Sequence, residues 1–297
     1  MQTPESSASR PGLVSVEGVS MVDWILKTWG QIQDIQANPD DVLIATYPKA
    51  GTTWMQEIVD LILMDGDADK SKRAPVYLRI PFLEMFAHGD IPSGVETIMK
   101  MESPRIIKTH LPFQLMPKSF WELNCKAIVV ARNPKDVAVS YFHFHRMNQA
   151  MPEPGPWDQF LQTFVNGQVS WGCSYEHALG WWEARKLHQI LFIFYEDIKE
   201  DPRREILKVA SFLGKVLDEI AVEKVVHHSQ FAVMKDNPMA NYSTLPSTIF
   251  NQAISKFMRK GEVGDWKNLF TVAQNEAFDE FNTRKLSGTD LRFREVL

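Results

Sequence analysis

Short apolar runs alternate with amphipathic segments along most of the chain. Residues 42–47, 126–131 and 190–195 are almost continuously apolar, which is typical of parallel strands buried on both faces. The first two runs are each followed by a break and then by helical periodicity, over residues 52–64 and 135–147. The pattern predicts an α/β fold, in which helices flank a central, mainly parallel β-sheet.

Weaker signals extend this pattern toward both ends of the chain. They predict a strand over residues 105–109 and helices over residues 20–35, 157–165, 175–187 and 202–213. Three stretches fit neither pattern and are either functional loops or irregular surface, namely residues 84–94, 151–157 and 235–258. Without an internal repeat, we expect a single domain over residues 1–297 with a flexible tail over residues 1–18.

The charge balance and the cysteine count narrow the class of protein. Subtracting 37 Asp and Glu from 32 Lys and Arg gives a net charge of −5, which argues against a nucleic-acid partner. Cys125 and Cys173 lack C-x-x-C spacing and fit a reducing compartment. The N-terminus lacks a signal-peptide core, and no apolar run approaches the ~20 residues of a membrane span. We therefore expect a cytoplasmic protein with no membrane partner.

The connection between the first predicted strand and its helix has the sequence YPKAGTTW, over residues 47–54. Gly51 permits a tight turn, and Thr52 and Thr53 stand where free backbone N–H groups and the positive end of the helix dipole converge. Lys49 adds a full positive charge. The lysine precedes the glycine, so the order is not that of a Walker A loop. The loop is either an anion cradle or a capped helix start with a surface lysine.

Two further basic groups follow later elements. Arg132 stands at the carboxyl end of a predicted strand, where α/β folds bind ligands, and Ser140 lies in the helix that follows. Residues 259–261 have the sequence RKG. Taken alone, Arg132 fits an ordinary Arg–Asp surface pair as well as a ligand site, and residues 259–261 fit an ordinary basic turn as well as a ligand site. If they converge with Lys49, they predict a ligand with more than one phosphate-like group.

His110 follows a short predicted strand and is a candidate general base. An unperturbed imidazole pKa near 6.5 suits proton transfer at neutral pH, although any one of the eight histidines is more often structural. His143 and His145 are two residues apart on a predicted helix and do not face each other. No cluster has zinc-like spacing, so we expect no metal site.

Taken together and in order, these motifs resemble one family, the cytosolic sulfotransferases, in its phenol (aryl) branch. The resembling segments are YPKAGTTW (residues 47–54) for the 5'-phosphosulfate loop, KTHLP (residues 108–112) for the catalytic strand, RNPKD (residues 132–136) with Ser140 for the 3'-phosphate site, and RKG (residues 259–261) followed by GDWK (residues 264–267) for the C-terminal signature. The resemblance extends from about Val42 to the C-terminus.

The resemblance implies a donor, 3'-phosphoadenosine 5'-phosphosulfate (PAPS), held by a P-loop-like strand–loop–helix, and no metal. It implies that His110 is the base and that Lys49 and Lys108 lie beside the reacting oxygens. The implied cofactor-binding residues are Lys49, Ala50, Gly51, Thr52, Thr53, Trp54, Arg132, Ser140, Tyr195, Ser229, Gln230, Phe231, Met234, Phe257, Met258, Arg259, Lys260 and Gly261. Ser229 and Gln230 replace the Thr-Ser pair of many relatives.

Aromatic and methionine side chains in or beside the unassigned loops predict an apolar acceptor pocket, suited to a small phenolic, steroid-like or xenobiotic compound. The acceptor group is expected to be a hydroxyl, with an amine as the alternative. The candidates are Phe82, Met85, Phe86, Phe142, Met151, Tyr242 and Phe250, together with Lys108, Thr109 and His110. Each aromatic residue alone fits ordinary core packing equally well. Asn251, Gln252 and Lys256 depart from the family pattern and leave the acceptor preference open.

The family also has a dimer motif, K-x-x-x-T-V-x-x-x-E. This chain matches it with Lys267, Thr271, Val272 and Glu276, which implies a homodimer. Two other functions stay open. One is a P-loop-like small-molecule kinase, which needs a Walker A order and Mg²⁺. The other is a non-catalytic carrier of hydrophobic hormones on the same fold.

Overall fold

The structure is a computed structural model that describes residues 10–87 and 92–297. The strands in this part of the chain are β1 (Leu13–Val16), β2 (Val19–Val22), β3 (Val42–Thr46), β4 (Ile106–Thr109), β5 (Lys126–Ala131) and β6 (Ile190–Phe194). β1 and β2 form an antiparallel hairpin. The other four strands form a parallel sheet in the order β4-β3-β5-β6. The predicted α/β class is therefore confirmed.

Helices connect and cover these strands. The α-helices are α1 (Trp29–Asp34), α2 (Thr52–Leu63), α3 (Ala68–Ser71), α4 (Val76–Arg79), α5 (Gly94–Met99), α6 (Ser119–Glu122), α7 (Pro134–Met147), α8 (Trp157–Val165), α9 (Ser174–Ala184), α10 (Tyr195–Glu200), α11 (Pro202–Leu213), α12 (Glu219–His228), α13 (Phe231–Met234) and α14 (Val272–Lys285). Short 3-10 helices cover Asp23–Lys27, Phe113–Leu115 and Asp265–Asn268. No helix within residues 10–87 or 92–297 is long and apolar enough to cross a bilayer.

The parallel sheet is buried on both faces. Along β3, Leu43 and Ala45 join one apolar cluster, whereas Val42 and Ile44 join another. The first cluster contains side chains of α7, α8 and α9, and the second contains side chains of α2, α11 and α12. Because successive strand residues point to opposite faces, a strand that is covered twice needs a continuous apolar run.

The functional edge of the sheet is set by its parallel topology. The residues that follow the four strands are Tyr47 after β3, His110 after β4, Arg132 after β5 and Tyr195 after β6. The carboxyl ends of parallel strands lie along one edge, which brings these residues together. Residues at the start of α7, the helix that follows β5 at this edge, stabilise its N-terminus. The Asn133 side chain accepts a hydrogen bond from the Lys135 N–H at 2.9 Å, and Pro134 is the first residue of α7.

The prediction of one helix over residues 20–35 is wrong. That segment contains β2, a 3-10 helix and α1, because residues 19–22 pair with β1 and bury Met21 and Val22. The same hairpin occupies the later part of the predicted flexible tail, and residues 1–9 lie outside the described residues. The predicted loop over residues 84–94 also lies partly outside them, at residues 88–91.

Candidate active site

A cavity of about 520 Å³ lies at the carboxyl edge of the sheet and collects most of the predicted anion-binding residues. The predicted residues in its walls are Lys49, Gly51, Thr52, Thr53, Trp54, Arg132, Ser140, Tyr195, Ser229, Gln230, Phe231, Met234, Phe257, Met258, Arg259, Lys260 and Gly261. The structure therefore brings three distant segments together, and we call this space the cationic cavity. Ala50 differs, since its side chain is buried in the core beneath the loop.

The loop between β3 and α2 is shaped by unusual backbone conformations. Lys49 has a φ of +68° and Gly51 has a φ of +115°, both in the left-handed region. A Cβ atom at Gly51 would lie 2.9 Å from the Tyr195 ring, so only glycine fits there without a shift. The tight turn aims the free N–H groups of the α2 N-terminus into the cationic cavity, next to Thr52 and Thr53.

Lys49 is surrounded by cations and aromatic rings. Its ammonium lies 4.0 Å from the centroid of the Phe257 ring and 4.6 Å from that of Phe144. Burial, and then the positive charges of Lys108, Arg132 and Arg259, lower the pKa of Lys49 to about 7. No carboxylate in the described part of the chain forms an ion pair with this ammonium. A bound anion would remove the electrostatic conflict.

Arg132 is held in place by backbone oxygens and by a ring. Its Nη2 donates to the carbonyl oxygen of Glu262 at 2.6 Å, and its guanidinium carbon lies 4.2 Å from the centroid of the Tyr195 ring. The nearest acidic side chain in an ion pair is Asp136, at 3.6 Å. The Arg132 Nε is buried with no hydrogen-bond partner among the described residues, while the residue as a whole lines the cationic cavity.

Arg259 and Lys260 share one carboxylate, that of Asp265. Arg259 donates to it at 2.5 Å, and Lys260 also donates to it. Burial opposes ionisation of Asp265, but the hydrogen bonds from Lys260 and Arg259 lower its pKa to about 2. The Nε of Arg259 is buried and has no partner in the described ranges. Arg132 and Arg259 both line the cationic cavity.

A larger cavity of about 1070 Å³ adjoins the cationic cavity. We call it the aromatic cavity, because its walls include Trp24, Tyr77, Phe82, Phe86, Phe144, Trp171, Tyr242 and Phe250. The residues that line both cavities are Pro48, Lys108, His110, Phe144, Tyr242 and Phe250. The two spaces thus meet at the candidate base and at a lysine.

The hydrogen bonds of His110 define its tautomer. Its Nδ1 lies 2.7 Å from the carbonyl oxygen of Thr46, and because a carbonyl only accepts, Nδ1 carries the proton. Nε2 therefore keeps its lone pair. Burial, and then the charge of Lys108, lower the pKa of His110 well below its ordinary value. His110 is neutral at pH 7 and can accept a proton at Nε2.

Lys108 lies on the wall shared by the two cavities. Its ammonium is 4.4 Å from the centroid of the Phe82 ring. Burial lowers the pKa of Lys108 to about 8, and the nearby Glu84 carboxyl acts in the opposite direction. A partly desolvated ammonium at this position can interact strongly with a negatively charged ligand group.

Most predicted pocket residues line the aromatic cavity, but two do not. Phe82, Met85, Phe86, Met151, Tyr242 and Phe250 line it. The structure does not place Phe142 there, because that ring packs against Trp157 and Phe160 at centroid distances of 5.4 and 5.5 Å. Phe144 takes its place, since residues two apart on a helix face different sides.

Thr109 is the other predicted pocket residue that lines neither cavity. It is buried, and its hydroxyl contacts the Met116 sulfur at 3.8 Å. It points away from the side chain of Lys108 because neighbouring strand residues alternate between faces. The sequence analysis also missed Trp24 and Trp171. Trp24 lies in the segment predicted as a helix, and no periodic signal marks Trp171.

The α/β fold thus brings a cationic cavity and an aromatic cavity together at a neutral histidine, an arrangement typical of group-transfer enzymes. A family model described as the sulfotransferase domain matches residues 39–290. Sulfotransferase 1C2 of Homo sapiens is 56% identical over 281 residues, which cover 95% of each chain. Sulfotransferase 1A1 of Rattus norvegicus is 50% identical over 286 residues, covering 96% of this chain and 98% of the relative.

Solved structures agree with this comparison. Retinol dehydratase in complex with androsterone and the inactive cofactor PAP matches with a TM-score of 0.85 and 27% identity, over 94% of this chain and 90% of that one. Mouse sulfotransferase SULT7A1 complexed with PAP matches with a TM-score of 0.77 and 32% identity, over 94% and 95%. The chain belongs to the sulfotransferase family. The predictions of a cytosolic-type sulfotransferase and of an enzyme that performs PAPS-dependent sulfuryl transfer are confirmed.

Proposed function

We propose that this chain transfers the sulfuryl group of PAPS to the hydroxyl of a small phenolic or steroid-like acceptor. The observation that carries the proposal is the meeting of the cationic and aromatic cavities at His110 and Lys108. Two of the matched solved structures support the proposed donor and the proposed acceptor class. The retinol dehydratase structure contains androsterone and PAP, and the mouse sulfotransferase structure contains PAP.

The residues of the cationic cavity fit PAPS, whose two anionic ends flank an adenosine. Lys49 and the α2 N-terminus suit the 5'-phosphosulfate, because they present a positive charge with no paired carboxylate. The guanidinium groups of Arg132 and Arg259, two residues that line the cavity, suit the 3'-phosphate. Trp54 and Phe231 line the same cavity and suit adenine stacking.

The chemistry follows from the positions of the side chains. PAPS supplies the sulfuryl group and a phosphate leaving group. His110 Nε2 accepts the proton of the acceptor hydroxyl, while the Thr46 carbonyl oxygen holds the imidazole in the required tautomer. Lys108 stabilises negative charge on the transferred group, and Lys49 with the α2 N–H groups stabilises charge on the leaving phosphate. The aromatic walls limit access of water.

The decisive experiment is transfer of labelled sulfate from PAPS to phenols, steroids and amines without added metal. We expect turnover, with phenols ahead of aliphatic alcohols because phenols ionise more readily. PAP is 3'-phosphoadenosine 5'-phosphate, the product that remains when PAPS has lost its sulfuryl group. Tight binding of PAP without turnover on any acceptor would favour the carrier alternative. Absence of both turnover and PAP binding would contradict the proposal.

The kinase alternative predicts a different ligand. The chain lacks the Walker A order, so PAP rather than ATP with Mg²⁺ should raise the melting temperature.

We also propose that no metal takes part. Removal of divalent ions by a chelator should leave turnover unchanged, whereas a loss of turnover that Mg²⁺ restores would contradict this part.

We further propose a homodimer through the matched motif. The motif residues Lys267, Thr271, Val272 and Glu276 are all exposed, and Val272 is 76% exposed despite its apolar side chain. A two-fold axis could pair Lys267 of one copy with Glu276 of the other around these valines. Sedimentation should show a dimer and a monomeric Val272→Glu variant; a wild-type monomer would contradict this proposal.

A cytoplasmic location and a single domain over residues 1–297 complete the proposal. Cys125 and Cys173 are free thiols, and free thiols suit a reducing compartment. The parallel sheet and both apolar clusters draw on residues from most of the described chain, which suits one folding unit. A single cooperative unfolding transition is the expected result.

A further inference from the structure

Glu84 is a buried carboxyl to which the reaction outlined above gives no role apart from its effect on the pKa of Lys108. It is 0% exposed and lines neither cavity, yet it lies directly behind the proposed base. The preceding residues run beside β4, where Phe82 bridges Lys108 in parallel and the Leu83 N–H donates to the Lys108 oxygen at 2.9 Å. This short pairing sets the position of Glu84 relative to His110.

One oxygen of Glu84 joins the base to the wall of the aromatic cavity. Its Oε1 accepts the backbone N–H of His110 at 2.7 Å and the indole N–H of Trp171 at 3.2 Å. The Trp171 ring lines the aromatic cavity, and its centroid is 5.2 Å from that of the His110 ring. A single acceptor atom therefore couples the position of the base to that of a tryptophan wall.

Trp171 depends on such contacts because its backbone is strained. Its φ is +64°, a left-handed conformation that a tryptophan adopts only when its surroundings enforce it. The Tyr141 hydroxyl donates to the Ser170 oxygen at 3.1 Å, and the Tyr47 hydroxyl donates to the Gly172 oxygen at 2.8 Å. The backbone is thus fixed on both sides of Trp171, and Glu84 fixes its ring.

We propose that Glu84 is a positioning residue that sets the spacing between the His110 imidazole and the Trp171 ring, and so delivers the acceptor hydroxyl to Nε2. The inference rests on the proposed function, because the hydroxyl must meet His110. The role requires a hydrogen-bond acceptor at Oε1. Burial raises the pKa of the Glu84 carboxyl to about 7, so a large share of it is neutral at pH 7 and positioning does not depend on its negative charge. A glutamine side chain supplies the same carbonyl oxygen, whereas methionine fills similar volume without it.

The test compares Glu84→Gln with Glu84→Met. We expect Glu84→Gln to keep kcat and the acceptor KM within about twofold of wild type, because the acceptor atom remains. We expect Glu84→Met to lower kcat by roughly 10- to 100-fold and to raise the acceptor KM, since a small misplacement of the reacting groups is costly. The Kd for PAP should not change, because Glu84 does not line the cationic cavity.

A matched control is available in Glu205, another buried glutamate, which pairs with Arg204 and Lys208 on α11. Glu205→Met should lower the melting temperature without changing kcat. Trp171→Phe tests the other end of the contact, because it keeps a ring and removes the N–H donor. It should raise the acceptor KM with little effect on kcat, and it also serves if Glu84→Met does not fold.

The crystal structure of the folded variants gives a readout independent of turnover. In Glu84→Met, the Trp171 ring should leave its wild-type position, whereas in Glu84→Gln both Trp171 and His110 should stay in place. Wild-type kinetics in Glu84→Met, unmoved side chains in that variant, or equal damage in Glu84→Gln would each overturn the inference. A wild-type chain without sulfuryl transfer would overturn the proposed function instead, and the structures would still decide the role of Glu84.

Discussion

The cationic cavity and the aromatic cavity meet at Lys108 and His110, but they are built in different ways. The cationic cavity relies on strand-end loops and helix N-termini, whose positions follow from the parallel sheet, together with the irregular segment over residues 257–262. The aromatic cavity takes much of its wall from the residues that flank the N-terminal hairpin, from the segment around Phe82 and from residues 245–251. The cationic cavity is thus tied mainly to the core of the fold, whereas the aromatic cavity depends more on peripheral segments.

This difference has a physical origin. A doubly charged ligand needs charges and N–H groups at fixed positions, and packed strand ends and helix N-termini supply most of them here. An apolar acceptor needs a volume of suitable shape, and many combinations of aromatic side chains provide it. Substitutions in the cationic cavity should therefore damage every reaction of the enzyme, whereas substitutions in the aromatic cavity should alter its preference among acceptors.

The largest effect is expected for Lys49→Met. The substitution removes the charge that faces both the bound anion and the leaving phosphate, so kcat should fall by roughly 10³-fold and PAP should bind more weakly. Steady-state kinetics and calorimetry measure the two effects. The fall in kcat should be similar for every acceptor. A large fall in kcat for one acceptor and none for another would contradict the proposal that Lys49 binds PAPS.

A smaller but more selective effect is expected for His110→Gln. Loss of the base should lower kcat by roughly 100- to 1,000-fold, a typical contribution of general-base catalysis. PAP binding should stay within about twofold of wild type, because the phosphate contacts remain. Normal turnover of this variant would rule out His110 as the base.

The binding of PAP should depend on pH through Lys49, which lines the cationic cavity and not the aromatic cavity. Lys49 has a pKa of about 7 in the ligand-free chain, and a bound anion raises it, so binding takes up a proton. The Kd for PAP should therefore rise with pH above about 7, by up to roughly tenfold per pH unit for this one group. Calorimetric titration checks the slope, and Lys49→Met should flatten it.

The smallest effect is expected in the aromatic cavity, where Phe144 and Phe142 form a matched pair. Phe144→Leu should change the acceptor KM several-fold and alter the ranking of acceptors, because Phe144 lines both cavities. Phe142→Leu should lower the melting temperature alone, since that ring packs against Trp157 and Phe160. The reverse outcome would restore Phe142 to the pocket.

The difference between the cationic and the aromatic cavity also explains which parts of the site could be predicted from the sequence. The strand–loop–helix around Lys49 was predictable because an apolar run, a glycine and two threonines each carry a local signal. The position of Trp24 was not, because the pairing of β1 with β2 depends on contacts that helical periodicity conceals. Phe142 and Phe144 differ only in the face of α7 that they occupy, and both faces are apolar.

The hydrogen bonds of buried polar groups were also beyond the sequence. His110 was a candidate base by its place in a motif, but its tautomer depends on the carbonyl oxygen of Thr46, 64 residues away. Glu84 lay in an unassigned loop, and nothing local indicated that it contacts Trp171. Such contacts are determined by tertiary packing, so they require the structure.

The central claim is that the two cavities meet at Nε2 of His110. A crystal structure with PAP and a simple phenol tests it most directly. We predict PAP in the cationic cavity and the phenol in the aromatic cavity, with the phenolic oxygen about 2.6–3.2 Å from His110 Nε2. A phenol bound with its hydroxyl away from Nε2, or PAP bound outside the cationic cavity, would contradict the account.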